Sequence, residues 1–183
     1  MKIAILSDIH DNVWTLRAAL SALQAADALI CCGDLCSPFT VPLLAENFSK
    51  PIHLVFGNND GDLFRITKNA ARFSHFNIEG ELFLGEFGGL RFAVNHYDNI
   101  ALPIAQAGHY DVVCCGHNHR YQVEQLGPTL LINPGTLLGY SPLDKKDVPP
   151  TYVLYETATN QAMGYQVQLP DSARGPLPVA PYG

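Results

Sequence analysis

Five short apolar runs in this chain are each followed closely by residues that can bind a metal ion. Runs of four or five mostly hydrophobic residues, bounded by glycine and polar residues, are typical of buried β-strands. The runs cover residues 3–6, 28–32, 52–56, 90–94 and 112–115, and the residues that follow them are Asp8, His10, Asp34, Asn58, His96, His117 and His119. In open α/β sheets, ligands bind beyond the carboxyl ends of the strands. We therefore predict that these seven side chains share one site.

The segments between the first three runs favour a parallel sheet. Hydrophobic residues recur at helical spacing over residues 13–26, with Asp11 and Asn12 as the cap. A second helix is expected after Ser37 as its N-cap, with Pro38 as its first residue. Strands that alternate with helices in this way indicate right-handed βαβ units.

The pattern changes after residue 75. Residues 78–87 and 90–94 read as two strands joined at Gly88-Gly89, a hairpin signal, and a short helix follows over residues 100–107. Further strand-like runs cover residues 111–115, 121–126, 129–132, 151–156 and 162–169. An α/β fold of two packed, mixed β-sheets flanked by helices accommodates both halves.

The length of 183 residues fits one domain. We place that domain at residues 1–169, because no linker or internal repeat interrupts it. Residues 170–183 contain four prolines and no periodicity, which predicts a C-terminal tail that is flexible or is ordered only by contact with the rest of the chain.

Charge and composition exclude several classes of partner. The formal net charge is −6, and Lys145 and Lys146 stand between Asp144 and Asp147, so a nucleic-acid polymer is not an expected partner. The sequence has no apolar stretch of the length that a signal peptide or a membrane span needs. Five cysteines, an odd number, make a poor disulfide framework. These features predict a cytoplasmic protein that binds no membrane.

Each of the seven residues has a simple alternative role when it is taken alone. Asp8 could cap a helix, Asp34 and Asn58 could be turn residues, and His96 could be a core imidazole. Their joint position after five strands favours a metal site instead. Mixed nitrogen and oxygen ligands suit manganese, iron, zinc, cobalt or nickel better than calcium or magnesium. Seven ligands suit two ions about 3.5–4 Å apart.

Other residues with metal-binding or aromatic side chains are weaker candidates. Cys32 and Cys36 flank Asp34, but their spacing is not that of a zinc ribbon. The remaining cysteines are expected to pack as small apolar residues, and Trp14 is expected in the core or at an interface. Structural or surface roles are expected for His53, His75 and His109.

The ordered set Asp-x-His, Gly-Asp, Gly-Asn-x-Asp, His and Gly-His-x-His resembles the calcineurin-like metallophosphoesterase superfamily. The tripeptide Asn133-Pro134-Gly135 is similar to one in its compact prokaryotic phosphodiesterase branch, and the resemblance covers residues 1–169. It implies a two-sheet sandwich with a dinuclear metal site. One ion would be held by Asp8, His10, Asp34 and His119, and the other by Asp34, Asn58, His96 and His117. Asp34 would bridge the two ions.

Three positions depart from the pattern of that family. Many relatives have glycine where this chain has Asn95, and glycine often stands where this chain has Asp11. Many also have a histidine, a candidate proton donor to the leaving group, where this chain has Asn59. An asparagine side chain cannot act as a general acid. The third departure therefore lowers the expected activity on poorly activated substrates.

The function predicted from this resemblance is hydrolysis of a small phosphoester, in particular a phosphodiester, by attack of a metal-bridging hydroxide. Manganese is the first metal expected. The catalytic set is Asp34, Asn58 and His96, with Asp60 orienting Asn58 or a neighbouring histidine. Two alternatives stay open: a phosphomonoesterase or nucleotide hydrolase, and a non-catalytic metal-binding scaffold such as the retromer subunit with this fold. Whether the chain forms a homo-oligomer also stays open.

Overall fold

Strands and helices alternate through the first half of the chain, and strands dominate the second half. The computed structural model describes residues 1–168 and 177–182. In chain order the elements are β1 (Lys2–Leu6), α1 (Val13–Ala22), β2 (Ala28–Cys31), α2 (Thr40–Asn47), β3 (Ile52–Leu54), α3 (Leu63–Ala70), β4 (Phe76–Ile78), β5 (Leu82–Phe87), β6 (Leu90–Asn95), α4 (Asp98–Gln106), β7 (Val112–Cys114), β8 (Tyr121–Leu126), β9 (Thr129–Pro134), β10 (Tyr140–Ser141), β11 (Lys146–Asp147), β12 (Thr151–Glu156), β13 (Gln161–Val167) and β14 (Val179–Tyr182).

The strands form two large sheets and one short hairpin. The first sheet has the order β14-β13-β12-β1-β2-β3-β4, and the second has the order β5-β6-β7-β9-β8, while β10 pairs with β11. The neighbours β1, β2, β3 and β4 run parallel, as do β6, β7 and β9. The antiparallel pairs occupy the half of the first sheet from β14 to β1, and in the second sheet they are the two outer pairs. Both large sheets are therefore mixed, and the predicted fold class is confirmed.

Apolar packing divides the molecule into four layers. Ile3 and Ile5 of β1 pack in a core between the two sheets, together with Phe92 of β6. Ala4 and Leu6, the alternate residues of β1, pack on the other face in the core that includes residues of α1, α2 and α3. A third core joins α4 to the outer face of the second sheet. Because β1 is buried on both faces, it appears in the sequence as a continuous apolar run rather than an alternating one.

The first two helices begin and end differently from the sequence prediction. Asn12 caps α1, because its side chain accepts a hydrogen bond from Thr15 N, but α1 ends at Ala22 rather than at residue 26. The prediction for α2 is wrong at its start: the helix begins at Thr40, two residues after Pro38. Ser37 does not cap it, because the Ser37 hydroxyl donates to Asp11 Oδ2 at 2.5 Å.

Two further elements differ from the prediction. Helix α3 was not predicted; it is short and mostly polar, and Ile66 and Ala70 are its only buried residues. The predicted single strand over residues 78–87 is two strands in different sheets, β4 and β5. Gly80, with φ +80°, lies in the connection between them.

The C-terminal segment contributes a strand to the first sheet. Residues 170–176 and 183 of the predicted tail lie outside the described residues, as does residue 169 of the predicted domain. Beyond that gap, β14 pairs antiparallel with β13, so Val179–Tyr182 belong to the sheet. The boundary at residue 169 stays a prediction.

In the described part of the chain, every helix is too short or too polar to cross a membrane.

Candidate metal centre

Most of the predicted ligands lie in loops with an unusual backbone conformation. Asp8, His10, Asp34, His117 and His119 have φ values of 52°, 44°, 57°, 71° and 59°. Non-glycine residues rarely occupy this left-handed region, and where they do they cluster at functional sites. The conformation turns the chain sharply at the end of each strand, and it directs side chains from several strands into one pocket.

Glycines leave the space that these side chains occupy. A Cβ atom on Gly33 would lie 2.7 Å from His96 Nδ1, and one on Gly57 would overlap the carboxylate of Asp34. A Cβ atom on Gly116 would lie 2.6 Å from Asp8 Oδ2. The glycines that precede three of the ligand positions are therefore required by close packing around the ligand side chains.

The seven predicted residues come together at one edge of the two sheets. His119 Nε2 lies 3.2 Å from Asp8 Oδ1, and His10 Nε2 lies 3.7 Å from the same oxygen. Asp34 Oδ2 stands between two imidazoles, 3.4 Å from His10 Nε2 and 3.5 Å from His96 Nε2. Two groups of atoms are close enough to hold an ion, one from Asp8, His10 and His119 and one from Asp8, Asp34 and His96.

Asn58 and His117 complete the cluster on its exposed side. Asn58 Oδ1 lies 3.1 Å from His96 Nε2 and 2.9 Å from His117 Nδ1. Both residues are exposed, whereas Asp8, Asp34 and His96 are buried. The cluster therefore has a closed side, made by the carboxylates, and an open side where Asn58 and His117 meet solvent.

Hydrogen bonds to backbone carbonyls orient two of the imidazoles. His96 Nδ1 donates to Cys32 O at 2.7 Å, and His119 Nδ1 donates to Tyr140 O at 2.6 Å. A carbonyl oxygen only accepts, so the hydrogen of each neutral ring is on Nδ1 and the lone pair is on Nε2. That lone pair faces Asn58 Oδ1 for His96 and Asp8 Oδ1 for His119. For His119 and Asp8, two acceptors at this distance require a proton or a cation between them, because an ionised carboxylate only accepts.

Two buried polar atoms of the cluster lack a hydrogen bond, and one of them is the same Asp8 Oδ1. Within the described residues, Asp8 Oδ1 and His10 Nε2 are the buried side-chain polar atoms without a hydrogen-bond partner. A buried polar atom left unpaired is costly. A metal ion bound by both atoms would remove this cost, so the residues present fit a metal ion.

Burial and neighbouring charge shift the pKa values of Asp8 and His119 in opposite directions. Burial would raise the pKa of Asp8, but the side chains of His10 and His119 lower this pKa well below its usual value. Burial would lower the pKa of His119, but the Asp8 carboxylate raises it above its ordinary value. The site therefore favours an ionised carboxylate with positive charge beside it, which either a proton or a metal ion can supply.

Asp60 supports the site through the backbone. Its carboxylate accepts from Gly57 N at 2.8 Å, Cys36 N at 2.9 Å and Asp34 N at 3.1 Å. Burial raises the pKa of Asp60, although these three N–H groups favour the ionised form. We predicted that Asp60 orients Asn58 or a histidine. The hydrogen bonds of Asp60 connect the loops that carry Asp34 and Asn58, and its orienting role stays a prediction.

Several supporting residues were not recognised from the sequence. Ser7 Oγ donates to Asp8 Oδ2 at 2.6 Å, directly before the first ligand. Asn133, in the Asn-Pro-Gly motif, donates from Nδ2 to Gly116 O at 2.8 Å and so fixes the loop of His117. Tyr97 packs its ring edge-on against His96 and His117, with centroids 5.2 and 5.0 Å away. The position of Tyr97 directly after His96 in the sequence was the signal that could have identified it as a supporting residue.

The weaker candidates have mostly the roles that were predicted. His53 pairs with Glu79 at 2.7 Å, and His75 Nε2 lies 3.1 Å from Ala45 O, so both are structural. Cys31, Cys32, Cys114 and Cys115 are buried, and burial raises their pKa values above the ordinary range of a thiol. Trp14 is 71% exposed, so it is not a core residue, and its alternative position at an interface stays a prediction.

The motifs and their geometry agree with a family comparison. A family model for the calcineurin-like phosphoesterase superfamily domain matches residues 1–160. The chain belongs to this superfamily. It is accordingly a metal-dependent phosphoesterase, as the motifs predict.

Similar proteins of known structure or activity support this assignment. A phosphodiesterase from Methanocaldococcus jannaschii is 32% identical over 144 residues, covering 76% of this chain and 86% of that protein. The solved structure of an archaeal phosphodiesterase matches with a TM-score of 0.81 at 28% identity, covering 91% of this chain and all of that one. Vacuolar protein sorting 29 from Cryptosporidium parvum matches with a TM-score of 0.70 at 21% identity, covering 99% and 97%. That last likeness concerns the fold alone.

Proposed function

We propose that this chain hydrolyses small phosphodiesters at a dinuclear metal site in which Asp34 is the shared ligand. The observation that carries the proposal is the position of Asp34 Oδ2 between His10 Nε2 and His96 Nε2, at 3.4 and 3.5 Å. A single oxygen between two imidazoles from different strands is suited to bridging two ions. The name of the 32% identical relative, a phosphodiesterase, supports the preference for diesters.

The two halves of the site divide the ligands as follows. Asp8, His10 and His119, with Asp34, would hold one ion. Asn58, His96 and His117, with Asp34, would hold the other. Manganese is the first expectation, since mixed nitrogen and oxygen ligands suit it, with iron, zinc, cobalt and nickel as alternatives. Two such ions supply Lewis-acid activation of a phosphoryl oxygen and of a water nucleophile.

The protein itself determines the direction of approach. His117 and Asn58 are exposed, while Asp8 and His96 are fully buried, so a phosphate reaches the site from the side of His117. Asp8 and Asp34 contribute two negative charges, against four positive charges from two divalent ions. The loaded site is therefore cationic within an acidic protein, and it attracts anionic esters.

The residue at position 59 restricts the leaving group. Asn59 donates hydrogen bonds from both its backbone and its side chain to Asp34, and it carries no transferable proton. A substrate whose leaving group departs without protonation is therefore favoured over a simple alkyl ester.

The five cysteines are free thiols, which supports the proposed cytoplasmic location.

Metal analysis combined with paired substrates tests this proposal. Purified protein is analysed for metals and then assayed with added Mn²⁺ on bis(4-nitrophenyl) phosphate and 4-nitrophenyl phosphate. We expect two ions per chain and faster hydrolysis of the diester. A faster rate on the monoester would favour a phosphomonoesterase. Full metal occupancy without turnover on either ester would favour a non-catalytic metal-binding protein.

The variant Asp34→Asn tests the shared ligand. It should lose metal and turnover together, because the neutral amide carries no negative charge for two cations to share. Asp62→Asn is the matched control, since Asp62 caps α3 and asparagine caps helices equally well. Turnover of Asp34→Asn close to that of the unchanged protein would refute the bridging role.

A further inference from the structure

In three imidazoles of the site, Nδ1 contacts a polar atom of a residue that is not one of the seven predicted ligands. For His10 this partner atom differs in kind from the partners of the other two. The Nδ1 atoms of His96 and His119 lie 2.7 and 2.6 Å from backbone carbonyl oxygens. The Nδ1 atom of His10 instead lies 3.4 Å from the sulfur of Cys36. The contact is to the ring nitrogen opposite Nε2, the atom that faces Asp8 and Asp34. The thiol therefore stands behind His10 and outside the group of ligand atoms.

Cys36 is held firmly in this position. Its backbone N–H donates to Asp60 Oδ1 at 2.9 Å, and its φ of 71° is in the left-handed region. The next residue, Ser37, donates from its backbone N–H to Asp11 Oδ1 at 2.9 Å. Both hydrogen bonds connect the loop to neighbouring loops of the site. The backbone position from which the sulfur approaches His10 is thus determined by the fold.

The two kinds of support have different chemical consequences. A carbonyl oxygen only accepts, so it forces the lone pair of His96 and of His119 onto Nε2. A thiol both donates and accepts weakly, so it leaves two tautomers open to His10. Metal binding requires the tautomer with hydrogen on Nδ1, in which sulfur is the acceptor. Because sulfur is a weak acceptor, His10 is held less strongly than the other two imidazoles.

We propose that Cys36 is a positioning residue that sets the orientation of His10 and thereby the affinity of the ion on the His10 side of the site. The inference rests on the proposed dinuclear site and adds an asymmetry to it. The ion beside His10 is the more easily exchanged, and the ion beside His96 is retained. Changes at Cys36 affect the first ion and leave the second ion unchanged.

Two variants separate the role of the sulfur from that of the backbone. Cys36→Ala removes the polar group, and Cys36→Ser replaces it with a hydroxyl that also donates and accepts. Both keep a Cβ atom, so the left-handed backbone is strained equally in each. Ser37→Ala is the control for a loosened loop, because Ser37 hydrogen-bonds Asp11 rather than His10.

The experiment is a calorimetric titration of chelator-treated protein with Mn²⁺, repeated with Co²⁺ and followed by visible absorbance. The unchanged protein should bind two ions of different affinity. In Cys36→Ala the weaker ion should bind about 10- to 100-fold more weakly, with the stronger ion unchanged, as is typical for loss of an outer partner of a metal-binding histidine. Cys36→Ser and Ser37→Ala should stay within a few-fold of the unchanged protein.

Three other results would overturn the inference. The first is Cys36→Ala binding both ions as the unchanged protein does. The second is a Cys36→Ala variant that binds both ions more weakly by the same factor. The third is an equal loss of affinity in Cys36→Ser and Cys36→Ala. Either of these two results would indicate a general loosening of the site. A lower melting temperature alone does not support the inference. An unchanged protein that binds no ions would refute the proposed function itself, which is a separate result.

Discussion

Asn59 donates two hydrogen bonds to Asp34, from its backbone N–H to Oδ1 and from its side-chain amide to Oδ2, each 2.8 Å long. The residue therefore holds both oxygens of the proposed bridging carboxylate. The departure from the family pattern at position 59 thus exchanges a proton donor for a residue that orients a ligand.

The variant Asn59→Ala should weaken metal binding and lower kcat by about 10- to 100-fold, because the outer hydrogen bonds of metal-binding carboxylates contribute on this scale. Metal content and the rate on bis(4-nitrophenyl) phosphate measure the two effects. Asn99→Ala, on an exposed position of α4, is the control. Asn59→Ala keeps the backbone hydrogen bond to Oδ1 and removes only the side-chain bond to Oδ2. Unchanged metal content and unchanged kcat in this variant would show that the side-chain hydrogen bond does not matter.

Two glycines of one loop provide a test of close packing around Asp34. A Cβ atom on Gly57 would lie 2.9 Å from Asp34 Cγ, whereas one on Gly61 would meet nothing within 4 Å. Gly57→Ala should destabilise the fold by about 1–3 kcal/mol, the usual cost of an overpacked site, and should lower metal binding. Gly61→Ala should stay within about 0.5 kcal/mol. Urea unfolding of both variants measures the difference, and equal stability would contradict the packing argument.

The parts of the fold that were predictable are those with a local cause. Residues 3–6 form a continuous apolar run because β1 is buried on both faces, and the ligands follow the strands because the sheet edge is where they meet. Helix α3 was missed because it buries only Ile66 and Ala70. The change of sheet between β4 and β5 depends on tertiary contacts, which a pattern of apolar residues does not encode.

The candidate site also has a part that was predictable from the sequence and a part that was not. Residue types at strand ends predict which side chains meet, but not which atoms support them. Asp60 binds backbone N–H groups, Cys36 contacts His10, and Asn59 binds Asp34, since left-handed loops bring these atoms together. Such contacts depend on backbone angles that the spacing of residues does not reveal.

Metal binding should stabilise the protein as well as activate it. A ligand that binds only the folded state adds about 2.7 kcal/mol at a concentration 100 times its Kd. Added Mn²⁺ should therefore raise the melting temperature, and a chelator should reverse the rise. Asp8→Asn should remove most of this effect, because Asp8 Oδ1 lies within reach of both His10 and His119. A rise of the same size in Asp8→Asn would place the ion elsewhere.

The pH dependence of stability should differ between the metal-free and the metal-loaded protein. The raised pKa of His119 means that its positive charge stabilises the metal-free fold below its ordinary value of 6.5, and this contribution is lost as pH rises through the raised pKa. The lowered pKa of Asp8 means that its contribution is present above the ordinary value of 3.8 and is lost as pH falls through the lowered pKa. The metal-free protein should therefore lose stability as pH rises from neutral into the alkaline range.

Metal binding should reverse that trend, because an ion requires a neutral His119 and so competes with the proton. Thermal unfolding over pH 5–9, with a chelator and with Mn²⁺, measures the two curves. The metal-free melting temperature should fall toward alkaline pH, whereas the shift caused by Mn²⁺ should grow. His119→Gln should flatten the alkaline part of the metal-free curve, since glutamine carries no titrating charge. If His119→Gln keeps the full alkaline loss, the proton beside Asp8 resides on another group, and His10 becomes the residue to test.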